Sequence, residues 1–306
     1  MPKKEFVIER LQGENERLDM FLSKKIHGVS RARIQSWIAA GQVLVEGKVK
    51  RPSYRLHDRE NVQVEYELPE PERMDPEDIP LAVIYCDEHI IVLDKPSGMV
   101  VHPGAGQRSG TLVHALIFHF PDLAEVGPPD KPGIVHRLDK ETSGVILAAR
   151  TQSAYTELQR QFKAREVDKR YIGLVWGNMS QTEGKIMWSI GRHIKHGGRM
   201  SVKSRKSRVA ETHFKVKDNY KGLTLLEIKP VTGRTHQIRV HLSASGHPIV
   251  GDTKYGRRKS ELRSPRLFLH AHTVSFVHPA SAKRVHYSAP LPLDLSCFLE
   301  KLDRGS

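Results

Sequence analysis

The stretch PEPERMDPEDIP, Pro69 to Pro80, constrains the fold more than any other. It packs four prolines and five acids into twelve residues. Proline fixes φ and lacks a backbone donor, so such a stretch neither continues a helix nor enters the middle of a sheet. It reads as an extended linker with a separate core on each side. The chain is therefore expected to hold a small unit over 1–72, a linker proper at 73–80 and a larger domain over 81–306. A length of 306 residues suits about two domains.

The first unit shows helical and then strand periodicity. Leu18, Phe21, Leu22 and Ile26 share one helical face. Ser30 is placed to cap a second helix carrying Ile34, Trp37 and Ile38, with Gly41 just past its end. QVLVEGKVK alternates about Glu46-Gly47 as a hairpin, and NVQVEYEL alternates as a further strand. Lys24, Lys25, Arg31, Arg33, Lys48, Lys50 and Arg51 face few acids here. A helix pair beside a basic hairpin suits phosphate binding.

Beyond the linker come short apolar segments, AVIYCD, IIVLDKP, GIVHRLD, GVILAAR, RYIGLVWG, LTLLEIKP and RLFLHAHTVSFVHP. TLVHALIFHF and SAYTELQRQFKA interrupt them as helices. The strands do not alternate regularly with helices, so the expected class is α+β with a mixed, largely antiparallel sheet.

Charge narrows the partner. Lys plus Arg number 49 against 35 Asp plus Glu, a net +14 that favours a polyanion such as nucleic acid. Two cysteines form no disulfide framework, and no apolar run approaches a membrane span, so a cytoplasmic protein is expected. Seventeen histidines include no HxxxH or HExxH pair with a nearby carboxylate, and no GxGxxG or Walker loop occurs. No metal and no cofactor are expected. His136, Asp139 and Ser143 lie too close along one turn for a hydrolase relay, and GxSxG is absent. Taken alone, Asp139 suits a turn cap.

The motifs alter that reading when taken together. KPSGMVVHPG, TLVHAL, HRLDKETSG, KRYIGLVWG, TGRTHQIRVHL, GHPIVGD and LHAHTVSFVHPASAKRVHYSAPLP follow in order. Together they resemble the RluA/RluD type of pseudouridine synthase. SRARIQSWIAAGQVLVEGK resembles the small RNA-binding domain of ribosomal protein S-four. The resemblance implies a pseudouridine synthase fold behind that domain, and Asp139 as the catalytic aspartate. It implies Tyr171 as the aromatic stacked on the target base, aiding loss of the proton from carbon 5. Arg239 would pair with Asp139, with Arg234 as the alternative. Arg137 would enter the RNA stack, and His136, Arg234, His236 and Gln237 would contact the substrate. The implied reaction isomerises uridine in large-subunit ribosomal RNA, with transfer RNA or a non-catalytic assembly role as alternatives. The protein would act as a monomer with RNA as its partner. An ionised carboxylate kept charged by an arginine suits that chemistry, as nucleophile or as base.

RHIKHGGRMSVKSRKSR, Arg192 to Arg208, holds seven Lys or Arg and no acid. It reads as a mobile loop that clamps RNA, with Arg199, Lys203 and Arg205 as contacts. RNA affinity should therefore fall steeply between about 50 and 200 mM salt, as each phosphate contact releases counterions. A salt titration of binding to ribosomal RNA transcripts checks this, and a flat dependence refutes it.

Overall fold

The computed structural model describes residues 3–7, 15–26, 29–66, 74–104, 106–193, 198–204, 206–256, 262 and 264–303. The chain separates into two compact units, Met1–Glu72 and Arg73–Ser306.

The first unit contains β1 (Lys3–Val7), α1 (Leu18–Lys25), α2 (Arg31–Ala39), β2 (Val43–Val45), β3 (Lys48–Val49) and β4 (Asn61–Glu65). Its antiparallel sheet runs β1-β4-β2-β3. Sequence periodicity had no purchase on β1, which precedes the helices and pairs with β4 at Phe6↔Val62. Ser30 Oγ accepts from Arg33 N and caps α2, as its position implies. Glu46 and Gly47 both take positive φ at the β2–β3 turn, the twist a tight hairpin needs. Leu18, Leu22, Ile34, Ile38, Val43 and Val62 are fully buried between helices and sheet. Among them lies the Asp19 carboxylate, which accepts from Arg17, Arg31 and Gln35. Both Arg31 and Arg33 are exposed, but Arg31 is partly committed to the fold through its ion pair with Asp19.

Residues 74–80 do not run free, as the proline-rich composition suggested. The Glu77 carboxylate accepts from Gly110 N at 2.9 Å, and His119 Nε2 donates to the Ile79 carbonyl at 2.9 Å. These bonds lay the segment along the second unit, supplying partners that composition cannot reveal.

That unit contains β5 (Val83–Cys86), β6 (Ile90–Lys95), α3 (Leu112–His119), β7 (Ser143–Ala149), α4 (Gln152–Ala164) and β8 (Asp168–Trp176). There follow β9 (Glu183–Ile186), β10 (Ile190–Arg192), β11 (Met200–Ser201), β12 (Ser207–Arg208), β13 (Thr212–Tyr220) and β14 (Leu223–Pro230). α5 (Gln237–Ala244), β15 (Leu269–Val277), β16 (Arg284–Ser288) and α6 (Leu293–Glu300) complete it. The main sheet runs β5-β6-β7-β15-β8-β14-β13-β9, with β16 paired to β15. Among the described strands only β7 and β15 pair in parallel, so the sheet is mixed and largely antiparallel. No helix of the described residues is long and apolar enough to cross a membrane.

GIVHRLD is not a strand, contrary to its apolar pattern. Ile134 makes one bridge to Ala148, and then the His136 ring replaces the backbone: its Nε2 accepts from Leu147 N at 2.9 Å. Arg192–Arg208 is not simply a loop either. Its two ends and its middle contribute to a small sheet, β11-β10-β12, while residues 194–197 and Arg205 lie outside the described residues.

β7 enters the sheet immediately after the HRLDKETS turn. At Gly144, φ is +112°, and a Cβ there would collide with the Ala271 carbonyl of β15. Glycine alone permits this approach, which brings the turn against the sheet. Gly144→Ala should destabilise the second unit by at least about 2 kcal/mol. Gly222→Ala, at φ +72° with open space around it, should cost only about 1 kcal/mol. Urea unfolding of the two variants makes the comparison.

Candidate active site

The HRLDKETS turn is closed by Thr142 N donating to the Asp139 carbonyl at 3.1 Å. A second turn, from KPSG, holds it from outside. Gly98 N donates to the Lys140 carbonyl, and Ser97 Oγ donates to the Glu141 carbonyl. Lys95 completes the junction. Its fully buried ammonium donates to the carbonyls of Pro96, Met99 and Lys140 at 2.8, 2.9 and 3.3 Å. Burial lowers its pKa to about 7, against the opposing pull of the Asp139 charge. The KPSG motif marked this stretch, but nothing in it singled out the lysine.

Asp139 does not cap the turn: among the described residues, no backbone amide donates to its carboxylate. Instead the side chain faces Arg239, whose Nη1 lies 3.5 Å from Oδ2. Arg239 comes from α5, one turn past the left-handed N-cap residue His236 at φ 54°. The TGRTHQ loop before it is tied down by Gln237. The Gln237 carbonyl oxygen accepts from Thr232 Oγ1 and Arg234 N, and its amide donates to Glu211 O and Thr212 Oγ1. A side chain saturated in this way positions the loop and has no amide group left for a substrate.

The orientation of Arg239 is set by a residue to which sequence reasoning gave no role. Arg239 Nε donates to Asp252 Oδ2 at 2.8 Å, and Nη2 donates to Oδ1 at 2.9 Å. Asp252 Oδ1 also accepts from the amides of Lys254 and Tyr255. Nη2 further reaches Glu141 at 3.2 Å, and the guanidinium lies over the Tyr255 ring at 5.3 Å. One face of the fork is thus consumed by Asp252, leaving Nη1 for Asp139. Burial alone would lower the Arg239 pKa. The bonds and charge of Asp252, then the charges of Asp139 and Glu141, more than offset this and raise it. Asp252 is likewise desolvated, yet the Arg239 fork holds its pKa below the usual carboxylate range.

Tyr171 stands on β8 between β14 and β15 and faces the same cleft. Burial, and then the negative charge of Asp139, push its phenol pKa well up, so it is neutral at neutral pH. Asp139, Tyr171, Arg239, Leu269 and Ile238 line this cleft, with Arg137 and Arg234 also on its wall.

The cleft holds an aspartate–arginine pair and an aromatic side chain, the combination implied by the motifs. The RNA pseudouridylate synthase profile matches residues 89–244, spanning all of them, and the S4 domain profile matches 16–62. The chain belongs to the RNA pseudouridine synthase family. It is 41% identical to the ribosomal large subunit pseudouridine synthase D of Xanthomonas campestris, over 95% of this chain and 90% of the relative. The Pseudomonas aeruginosa protein of that name is 40% identical over 94% and 92%. The solved human RNA pseudouridylate synthase domain containing 1 aligns with a TM-score of 0.61 and 28% identity, covering 76% of this chain and 92% of that one.

The other site residues expected in this family fall in different places. Arg137 is exposed, and Arg234 donates from Nε to the Val209 carbonyl and does not pair with Asp139. The His236 ring meets the Tyr255 hydroxyl at 2.8 Å, and burial lowers its pKa. His136 turns away from the cleft. It stacks on Phe162 at 4.7 Å, and burial pushes its pKa down to about 3. That ring is therefore a neutral structural acceptor for Leu147 N, not a base contact.

Asp252→Asn should take from buried Arg239 its nearest counter-charge, leaving among the described residues only Glu141 at 3.2 Å and Asp139 at 3.5 Å, and cost on the order of 3 kcal/mol at pH 7. The folded pKa of Asp252 is depressed, so its contribution is present above the unfolded value of about 3.9 and is lost as pH falls below it. Urea unfolding from pH 7 to pH 3 should show the gap between wild type and variant closing as the medium turns acid.

Proposed function

We propose that this enzyme isomerises uridine to pseudouridine in large-subunit ribosomal RNA, with Asp139 as the essential carboxylate. The observation that carries the reading is the Asp139–Arg239 pair, held by Asp252 and faced by Tyr171 in one cleft. The names of the relatives from Xanthomonas campestris and Pseudomonas aeruginosa support the choice of RNA.

The reaction breaks the bond between uracil N1 and ribose C1′, rotates the base and joins C1′ to carbon 5. The hydrogen leaves carbon 5 and N1 gains one, so composition and oxidation state are unchanged. An ionised carboxylate at the ribose, as nucleophile or base, is the group this requires. Arg239 presents a positive charge to the Asp139 carboxylate, its Nη1 3.5 Å from Oδ2. Tyr171 is neutral and offers a ring face and a hydroxyl: the ring stacks on the uracil and the hydroxyl assists loss of the carbon-5 proton. The target must leave its stack, which costs a few kcal/mol, and Arg137 on the exposed rim is placed to fill the gap. One chain supplies all these groups, so a monomer suffices. Two cysteines and no disulfide framework fit a reducing cytoplasm. The basic residues Lys24, Lys25, Arg33, Lys48, Lys50 and Arg51 of the first unit anchor the RNA, as do Arg199 and Lys203 near the small sheet.

Asp139→Asn retains shape but cannot attack the ribose or take a proton. Melting temperature and RNA affinity should stay close to wild type. The isomerisation rate should fall at least about a thousandfold, on the order of 4 kcal/mol. Single-turnover tritium release from carbon-5-labelled uridine in ribosomal RNA transcripts measures it. Turnover within tenfold of wild type would move the chemistry elsewhere.

A further inference from the structure

Two grooves open beside the catalytic cleft, and among the described residues each is lined by cations without a single acid. One follows the C-terminal end of α4 and is lined by Arg137, Lys163, Arg165, Lys169 and Arg234. The other follows β10–β12 and is lined by Arg192, Lys206, Arg208 and Arg234. They meet at Gly233–Arg234, which also walls the catalytic cleft. The β10–β12 groove lies on the basic 192–208 segment, whereas neither motif nor profile gives the end of α4 a role.

A solvated basic face or compensation of the helix dipole would be the plain reading of that end. Three observations argue for a ligand. First, the acids nearby are already used: Glu157 and Glu166 both clamp Arg160, one turn earlier. Lys163 and Arg165 are exposed, and neither has a carboxylate partner among the described residues. Second, Arg165 occupies the left-handed C-cap at φ 62°, its N–H bonded to the Gln161 and Phe162 carbonyls. Glycine is favoured there, and an L side chain carries a steric cost that dipole compensation from the preceding turn would avoid. Third, the groove is lined by a stacked assembly, with Phe162 packed on His136 at 4.7 Å and the Lys169 ammonium 5.5 Å from its ring.

We propose that the α4 groove binds the phosphodiester backbone of the RNA strand on one side of the target uridine. The β10–β12 groove takes the other side, and Arg234 sits where the strand bends at the extruded base. This rests on the isomerase reading above. A base is extruded by rotation about its backbone, and cations on both flanks would hold that backbone while the base enters the cleft.

The test uses the full chain carrying Lys163→Ala and Arg165→Gly, the glycine relieving the left-handed cap. Tritium release from a large-subunit rRNA transcript is followed under single turnover at increasing enzyme concentration. Binding of the same transcript is read separately by fluorescence anisotropy between about 50 and 200 mM salt. The half-saturating concentration should rise about tenfold, with the plateau rate within twofold of wild type. The slope of log affinity against log salt should become shallower by about 1 to 1.5, the loss of two single-strand phosphate contacts. Melting temperature should be unchanged or higher. Unaltered affinity and salt slope would overturn the α4 track, as would a fall in plateau rate at unaltered affinity. A wild-type protein that binds but releases no tritium would overturn the isomerase reading, while the salt slope would still judge the groove.

Discussion

The buried fork between Arg239 and Asp252 is the interaction on which the catalytic unit depends. Removing both charges from water is costly, by several kcal/mol each, and a pair so placed repays this only with near-ideal geometry. Here both carboxylate oxygens accept from the guanidinium, and one also accepts two amides from its own turn. The result is a cation that cannot rotate. Its remaining edge faces Asp139, so the cation beside that turn is oriented by a residue 113 positions later in the chain, at 252 against 139.

The rest of the site exists to bring these groups together without slack. Gly144 lets β7 approach β15 more closely than any other residue would, which seats the turn on the sheet. Lys95 and Ser97 bond to the carbonyls of that turn, so its backbone is fixed from the KPSG side as well. Gln237 does the same for the loop before α5. Such preorganisation lets fixed charges and shape contribute to catalysis without reorganising during the reaction.

Around this acidic centre the chain is strongly basic, and the two kinds of charge are kept apart. Asp139, Glu141 and Asp252 surround Arg239, while the flanking grooves carry cations alone. Under the proposed function, a polyanion would be attracted along the grooves while its base met the carboxylate in the cleft. In the first unit Arg31 is likewise drawn to a carboxylate, donating to the buried Asp19.

Local signals determined much of this protein. The Ser30 cap, the Glu46-Gly47 hairpin, the helices at 112–119 and 152–164 and the alternating strands all depend on nearest neighbours, and each formed where its residues direct. The resemblance of the ordered motifs to the pseudouridine synthase family implied Asp139, Tyr171 and Arg239 as one site, and the three line one cleft. Tertiary structure decided what pairs with what. A histidine ring displaced a strand at 136, since its nitrogen could satisfy Leu147 where an apolar pattern implied backbone pairing. Glu77 bound the proline-rich segment to Gly110 because its carboxylate and that one backbone amide meet only in the fold. Arg239 rather than Arg234 reached Asp139 because α5, not a strand, carries it, and because Asp252 arrives there from a distant turn. Hydrogen-bond partners far apart in the chain leave no periodicity behind, so their pairing is legible only once the backbone has brought them together.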